Sequence, residues 1–255
     1  MIRGVAFAGA GLMLGSFLTV VIHRVPRRKS IVVPRSACRE CGATIRARDN
    51  IPVLSYLVLR GRCRDCRAPV SAEYPIVEAL TGALFVGAAL AFPSLWVAIL
   101  IAPFLGLIAA CGLVDLHHRI IPNAVVYPSL VILGGAVAAL AIVGQPVSLA
   151  TATLGLLAYG GGLFVVALIS PAGMGMGDVK LAALIGLILG ALGWIYVAVA
   201  SMIAVLAGGL GAVAVLARGG TRKDAIPFGP YLAGGAVLSA LFGPSIAAWY
   251  TKLLV

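Results

Sequence analysis

Charged residues are scarce in this sequence of 255 residues, because they make up only 11% of it. Soluble domains contain about 25% charged and about 45–50% apolar residues. Here apolar residues make up 62%, and the mean hydropathy is +1.10. Acidic residues are the scarcest, since 8 Asp and Glu stand against 19 Lys and Arg. This composition excludes an ordinary soluble domain and predicts an all-α polytopic membrane protein.

The excess of positive charge could indicate a nucleic-acid-binding protein, but its placement favours a role in membrane topology. Of the 19 Lys and Arg residues, 12 lie between Arg24 and Arg67. Three more, Arg218, Arg222 and Lys223, lie in another polar loop. Short basic loops mark the cytoplasmic side of a membrane protein. We therefore expect both loops to face the cytoplasm, with the lipid bilayer and no nucleic acid as a partner.

Long apolar runs separated by turn signals predict about eight transmembrane helices. The first run is followed directly by basic residues, so we expect an uncleaved helix and no cleavable signal peptide. The run after Asp178 is short, so it is either a short helix or shares a bend with the next. The runs cover residues 5–22, 75–91, 95–114, 123–143, 149–169, 179–189, 194–217 and 229–249.

Four of the five cysteines lie in the polar stretch 24–73, as two Cys-x-x-Cys pairs separated by 21 residues. Two such pairs supply four thiolates for a tetrahedral zinc ion. Two disulfides are the alternative, but a cytoplasmic loop lies in a reducing compartment. A segment of this length is too small to bury much core unaided. The sequence predicts a small cytoplasmic domain with structural zinc, held by Cys38, Cys41, Cys63 and Cys66.

Asp115 and Asp178 stand out because each lies at the edge of an apolar run. Asp115 ends the run 95–114, and Asp178 lies in the glycine-rich break 173–180. A carboxylate in or near a bilayer is costly, so it is a functional candidate by default. Eight helices would bring both acids to the cytoplasmic face. Two carboxylates that share a proton can activate a water and protonate the group it attacks, which suits metal-free peptide hydrolysis.

Structural roles are open for the same residues. Asp178 could cap a helix N-terminus, and Asp115 could reach water or pair with Arg119. Glu78, one turn into a helix, could stabilise the helix N-terminus or bind a cationic group. Lys180 is expected to anchor to lipid headgroups. A buried thiol and two solvated loop histidines are the plainer interpretations of three neighbours: Cys111, His117 and His118.

Asp115 is followed by Ile121-Pro122-Asn123, and Asp178 ends the segment Gly175-Met176-Gly177-Asp178. These two aspartate motifs resemble those of the type IV prepilin peptidases, which are intramembrane-type aspartic proteases with a Gly-x-Gly-Asp signature. The resemblance covers essentially the whole chain. Further matching motifs, in order, are Gly15-Ser16-Phe17-Leu18, His23-Arg24-Val25-Pro26, the two cysteine pairs, residues 49–56, Tyr74-Pro75-x-x-Glu78 and residues 226–231.

The resemblance implies an enzyme of the bacterial inner membrane that cleaves the short basic leader of prepilins and pseudopilins. It assigns catalysis to Asp115 and Asp178, at the cytoplasmic face. Such substrates serve type IV pili, type II secretion or DNA uptake. Members with the four-cysteine domain also N-methylate the new N-terminal residue with S-adenosylmethionine, and Glu78 is a candidate for that step. The implied domains are a first transmembrane helix (1–23), a zinc domain (24–73) and a transmembrane aspartic peptidase (74–255).

Other functions are open from the residues alone. One is a peptidase that lacks the methyltransferase activity. Another is a proton-coupled transporter whose two carboxylates relay protons beneath a zinc-stapled lid, although transporter sites usually lie at the membrane midplane. A third is a zinc-knuckle scaffold protein with structural aspartates.

Overall fold

The computed structural model describes residues 2–170, 173–219 and 226–254. Within these ranges the only regular elements are helices, and the all-α prediction is confirmed. Arg222 and Lys223, which were predicted to lie in a cytoplasmic loop, are outside the described residues. The helices are α1 (Ile2–Arg24), α2 (Leu54–Val58), α3 (Glu73–Ala91), α4 (Leu95–His118), α5 (Asn123–Ile142), α6 (Leu149–Ile169), α7 (Met176–Leu192), α8 (Trp194–Ala217) and α9 (Gly229–Leu254).

Seven of the described helices are long and apolar enough to cross a membrane: α1, α3, α4, α5, α6, α8 and α9. The remaining long helix, α7, has 17 residues, which is at the short end of the range that spans a bilayer. It accounts for the short run expected at 179–189. Its start at Met176 shows that residues 176–180 of the predicted glycine-rich break are helical, which corrects the expectation of a break there.

Contacts between side chains show which helix ends lie together. The carboxylate of Glu73, at the start of α3, lies 4.0 Å from Nε2 of His23 in α1 and 3.6 Å from Nδ1 of His117 in α4. Lys180 near the start of α7 donates to the Asn123 side chain at the start of α5, at 3.1 Å. The ends of α1 and α4 and the starts of α3, α5 and α7 therefore lie at one end of the bundle. We call the end of the bundle where these residues meet the site end.

The two helices that carry the predicted aspartates are the most enclosed. In α4, 72% of the most apolar window is buried, against 17–44% in the other six spans. In α7, residues 184–191 are all buried. Helix α6 packs on α7 through glycines: a Cβ on Gly155 would overlap the backbone oxygen of Gly186. Small residues at such crossings allow membrane helices to approach closely.

The segment between α1 and α3 is built differently from the bundle. It contains the short helix α2, a 3₁₀ turn at Ala47–Asp49 and two isolated β-bridges. None of residues 23–76 is buried. Since no apolar core holds this segment, another interaction must stabilise it.

Candidate active site and metal centre

Asp115 lies in the last turn of α4 and is only 5% exposed. Its Oδ2 accepts a hydrogen bond from the N–H of Gly229 at 2.9 Å. Gly229 is the first residue of α9, where backbone N–H groups lack helical partners and favour negative charge. The expectation that Asp115 reaches water is therefore wrong. Among the described ion pairs, none joins Asp115 to Arg119.

Asp178 is the third residue of α7 and is half-buried. The N-cap position is occupied by Gly175, whose carbonyl accepts the N–H of Asp178 at 3.1 Å. The expectation that Asp178 itself caps the helix is therefore wrong, although its carboxylate still lies at the positive end of the helix dipole. Gly177 permits close packing here, because a Cβ on it would lie 3.1 Å from the Cβ of Ile121.

The structure brings both aspartates to the site end, because Asp115 lies in the last turn of α4 and Gly177, next to Asp178, packs against Ile121 in the link from α4 to α5. Each aspartate lies at the end of an enclosed helix, so the packing of the bundle holds both carboxyl groups in place. Two carboxyl groups held together can share one proton. Such a pair can remove a proton from water with one group and donate a proton with the other, without a metal ion.

The four clustered cysteines form a site that fits a tetrahedral metal. Their sulfur atoms all lie within 4.8 Å of one another, and those of Cys38 and Cys66 are 3.7 Å apart. Four sulfurs bound to zinc at about 2.3 Å are about 3.8 Å apart, whereas a disulfide is about 2.05 Å long. All four thiols are free, and this spacing favours a metal over two disulfides.

The two cysteine pairs lie on matching turns. Gly42 donates its N–H to the Cys38 carbonyl, and Arg67 donates its N–H to the Cys63 carbonyl, each at 3.1 Å. Both donors have positive φ angles, +72° for Gly42 and +61° for Arg67. Glycine adopts this conformation without steric cost, but arginine does not. The second turn therefore keeps its shape against the local preference of Arg67.

The thiols cannot all ionise without a cation. The backbone N–H groups of Cys41 and Glu40 lower the pKa of Cys38 to about 7. The backbone N–H of Ala68 lowers the pKa of Cys66, but the neighbouring sulfurs outweigh it and raise that pKa to about 12. A bound metal ion removes this conflict, because thiolates are its ligands.

Two family models match the chain in succession. The bacterial peptidase A24 N-terminal domain matches residues 10–92, and the type IV leader peptidase family matches residues 104–213. The chain belongs to the type IV leader peptidase family. It is therefore a peptidase and a multi-pass membrane protein, and this assignment leaves the transporter hypothesis without support.

Curated relatives of this family member share most of its length. Proteins named prepilin leader peptidase/N-methyltransferase from Aeromonas hydrophila and Bacillus subtilis are each 36% identical to it. The alignments cover 94% and 95% of this chain, and 90% and 96% of the relatives. A protein of the same name from Burkholderia pseudomallei is 34% identical, over 91% of this chain and 83% of the relative. No solved structure matches the chain.

Lys180 has a different role in this leader peptidase from the one its sequence context suggests. Its ammonium group donates to the Asn123 side chain and lies 5.1 Å from the centre of the Tyr127 ring. These contacts link the starts of α5 and α7, and the expected contact with lipid headgroups stays a prediction. Because Asp178 is two residues away, this link also fixes the start of the helix that carries it.

Glu73 belongs to the site end, although the sequence did not single it out. Its carboxylate lies between His23 and His117, and the rings of His23 and Tyr74 are 5.0 Å apart. His117 is exposed, as expected, but it lies in the last turn of α4 and not in a loop, and it contacts Glu73. The only signal in the sequence was the position of Glu73 directly before the Tyr74-Pro75 motif.

The structure also bears on the structural roles that the sequence left open for Glu78 and Cys111. Glu78 is 8% exposed, and its Oε2 accepts the N–H of Val53 at 2.7 Å. It therefore binds the backbone that leads into α2, in addition to any effect on the dipole of α3. Cys111 is 2% exposed in α4, which confirms that it is a buried thiol.

Proposed function

We propose that this chain cleaves the basic leader from type IV prepilins and pseudopilins, and then N-methylates the new N-terminal residue. Family membership and the names of relatives that align with over nine-tenths of the chain support this function. A peptidase without methyltransferase activity is the second candidate. It is less well supported, because the free four-cysteine cluster is intact.

The proposed catalytic pair is Asp115 and Asp178. One carboxylate removes a proton from a water molecule, whose oxygen attacks the scissile carbonyl carbon, while the other carboxyl group protonates the carbonyl oxygen. The C–N bond then breaks, and the leaving amine takes up a proton from the pair. The observation that carries this proposal is the placement of two carboxyl groups, one buried and one half-buried, at the same end of the bundle.

We place the protein in the bacterial inner membrane, with the site end and the cysteine segment facing the cytoplasm. The 12 basic residues between Arg24 and Arg67 support this orientation. Their side chains are suited to anionic lipid headgroups at that surface. The division into helix (1–23), zinc domain (24–73) and peptidase domain (74–255) stays a prediction.

The proposed cofactors are structural zinc and the methyl donor S-adenosylmethionine. Zinc would be held by Cys38, Cys41, Cys63 and Cys66, which leave no open position for chemistry. A sulfonium donor supplies a methyl group as its carbon–sulfur bond breaks, with the electron pair kept by sulfur and the amine proton passing to water. Glu78 is the residue that we propose for this second activity.

Mass spectrometry of a prepilin-type peptide, incubated with the purified chain and S-adenosylmethionine, tests both activities. We expect a shorter peptide that begins directly after the leader and that carries the added mass of one methyl group. Cleavage without methylation would favour the second candidate. An intact peptide across several leader sequences would contradict the proposed function.

A further inference from the structure

A cavity of about 410 Å³ lies between the cysteine segment and the start of α3. Its volume is within the range of about 300–1,000 Å³ that is typical of small-molecule sites. Four of the eight acids in the chain line it, although the net charge of the chain is +11. The acids are Glu40, Asp49, Asp65 and Glu78. Three arginines, Arg39, Arg62 and Arg64, line the cavity as well, so its affinity for a cation depends on which acids are left unpaired.

Three of the four acids are already compensated or exposed. Asp49 forms a bidentate salt bridge with Arg64. The Arg64 Nη2 lies 2.6 Å from Oδ1 of Asp49, and the Arg64 Nε lies 2.9 Å from Oδ2. The Oδ1 atom of Asp65 lies 3.3 Å from Nη2 of Arg46. Glu40 is exposed, so water screens its charge.

Glu78 is the exception. It is 8% exposed, and in the part of the chain that the structure describes no Lys, Arg or His nitrogen lies within 4.0 Å of its carboxylate. Among the described residues, the N–H of Val53 is the only hydrogen-bond donor to its carboxylate. A buried charge is costly unless it is paired. Glu78 is therefore a buried carboxylate without a cationic partner, although Arg39, Arg62 and Arg64 line other parts of the cavity.

The same cavity presents two aromatic rings, from Tyr56 and Tyr74. The Tyr56 ring packs against Gly61, where a Cβ would lie 2.9 Å from its Cζ. The Tyr74 hydroxyl accepts a hydrogen bond from Arg39 at 3.1 Å. Both rings are therefore held in place. Aromatic faces attract onium cations and stack on nucleobases.

We infer that this cavity binds the sulfonium methyl donor, with its positive sulfur near Glu78 and its purine against the tyrosine rings. The inference rests on the proposed methyltransferase activity and names the site that serves it. A carboxylate, a compact apolar wall and two aromatic rings match a molecule that joins a sulfonium to an adenosine. A second cavity, of about 420 Å³ and also bordered by Arg39 and Tyr74, is lined by Arg24, Arg27 and Lys29. No acid of the described residues lines the second cavity, whereas four acids stand beside three arginines in the first, so the first suits a sulfonium better.

A basic side chain of the substrate leader is the other cation that could meet Glu78. The burial of Glu78 disfavours it, because a flexible lysine would lose its hydration and its conformational freedom together. The exposed Glu40 is more accessible to such a chain. The test must therefore distinguish binding of the leader at Glu78 from binding of the methyl donor there.

The test compares two ligands that have the same adenosine and amino-acid groups but differ in the charge on sulfur. S-adenosylmethionine carries a sulfonium, whereas S-adenosylhomocysteine has a neutral thioether. Calorimetry on the full zinc-loaded chain in nanodiscs would measure the Kd of each ligand. Glu78→Gln keeps an acceptor for the Val53 N–H but removes the charge. We expect it to raise the Kd of S-adenosylmethionine at least about tenfold and that of S-adenosylhomocysteine by less than about threefold.

Glu73→Gln is the matched control, because it removes the same charge from the same helix but does not line this cavity. It should leave the Kd of S-adenosylmethionine within about twofold of wild type. Tyr56→Leu is the second variant and covers the case in which Glu78→Gln does not fold. It should raise the Kd of S-adenosylmethionine several-fold while leader cleavage is retained.

An unchanged Kd for S-adenosylmethionine in folded Glu78→Gln, in a chain whose wild type methylates peptide, would overturn the inference and leave the proposed function standing. A higher KM for the leader in Glu78→Gln, with the donor Kd unchanged, would overturn it in favour of leader binding. A wild-type chain that neither binds the donor nor methylates peptide would contradict the methyl-transfer part of the proposed function as well.

Discussion

Asp115 depends on a single residue of another helix. Gly229 donates its N–H to the Asp115 carboxylate, and a Cβ on Gly229 would lie 2.7 Å from Oδ2 and 2.9 Å from the Asp115 Cβ. Only a glycine leaves room for this approach. The carboxylate thus gains a hydrogen bond from the start of α9 while its position is fixed from two sides.

Replacement of Gly229 by alanine should therefore displace the Asp115 carboxylate and reduce kcat for leader cleavage by about 10²-fold, since small misplacements of catalytic groups have effects of this size. Gly234→Ala is the matched control on the same helix, because no atom lies within 4 Å of a Cβ at that position. Equal kcat values for the two variants would show that the Gly229 contact is not needed for catalysis.

Asp115 and Asp178 could be predicted from the sequence because a carboxylate at the edge of an apolar run is conspicuous. The partners of the site residues could not be predicted with the same ease. Glu73 meets His117 only because α3 and α4 are rotated and tilted in a particular way. Lys180 meets Asn123 for the same reason. Such contacts depend on helix packing, which an apolar pattern without a clear polar face does not specify.

At the scale of elements, the contact between α6 and α7 sets the position of the helix that carries Asp178. A Cβ on Gly155 would meet the backbone of α7 at Gly186, and it would lie 3.0 Å from the Cα of Gly190. The two backbones touch directly, so the α6–α7 crossing cannot accommodate a larger residue without separation of the helices.

Gly155→Val should therefore force α6 away from α7, lower the Tm of the purified chain and impair leader cleavage. Gly162→Val, on the same helix, is the matched control, since a Cβ there meets nothing within 4 Å. Thermal unfolding of both variants in the same detergent measures the difference. If Gly155→Val unfolds no earlier than Gly162→Val, close packing of α6 on α7 does not stabilise the bundle.

The cysteine segment should depend on its metal, because none of residues 23–76 is buried. Cys38→Ser is expected to lose bound zinc and to become sensitive to trypsin within this arginine-rich segment, while the helical bundle stays intact. Cys111→Ser should retain zinc, since Cys111 is buried in α4. Metal analysis and limited proteolysis report the two effects, and full zinc occupancy in Cys38→Ser would refute the site.

The boundaries of most elements followed from the apolar runs, and the start of α7 was the main exception. Residues 173–180 contain three glycines, which are typical of a loop. The structure begins a helix at Met176, because Gly175 occupies the N-cap and the apolar residues that follow are buried against α6 and α5. Tertiary packing here outweighs the low helix propensity of glycine.

At the scale of the whole molecule, both proposed activities lie at one end of the bundle. The cavity beside Glu78 opens next to Tyr74, and Glu73 joins the start of α3 to His117, two residues from Asp115. A new N-terminus formed at the aspartates would therefore reach the methyl donor without crossing the membrane. The enclosed helices α4 and α7 provide a rigid support, and the other helices expose more of their surface to lipid.

Leader cleavage by the wild type, Asp115→Asn, Asp178→Asn and the double variant most directly tests whether the two aspartates act as one pair. Groups that act as a unit have strongly non-additive effects on kcat. We expect each single variant to lose at least about 10³-fold in kcat and the double variant to be no slower than the singles. A single variant that still cleaves, or losses that multiply in the double variant, would contradict a shared catalytic site.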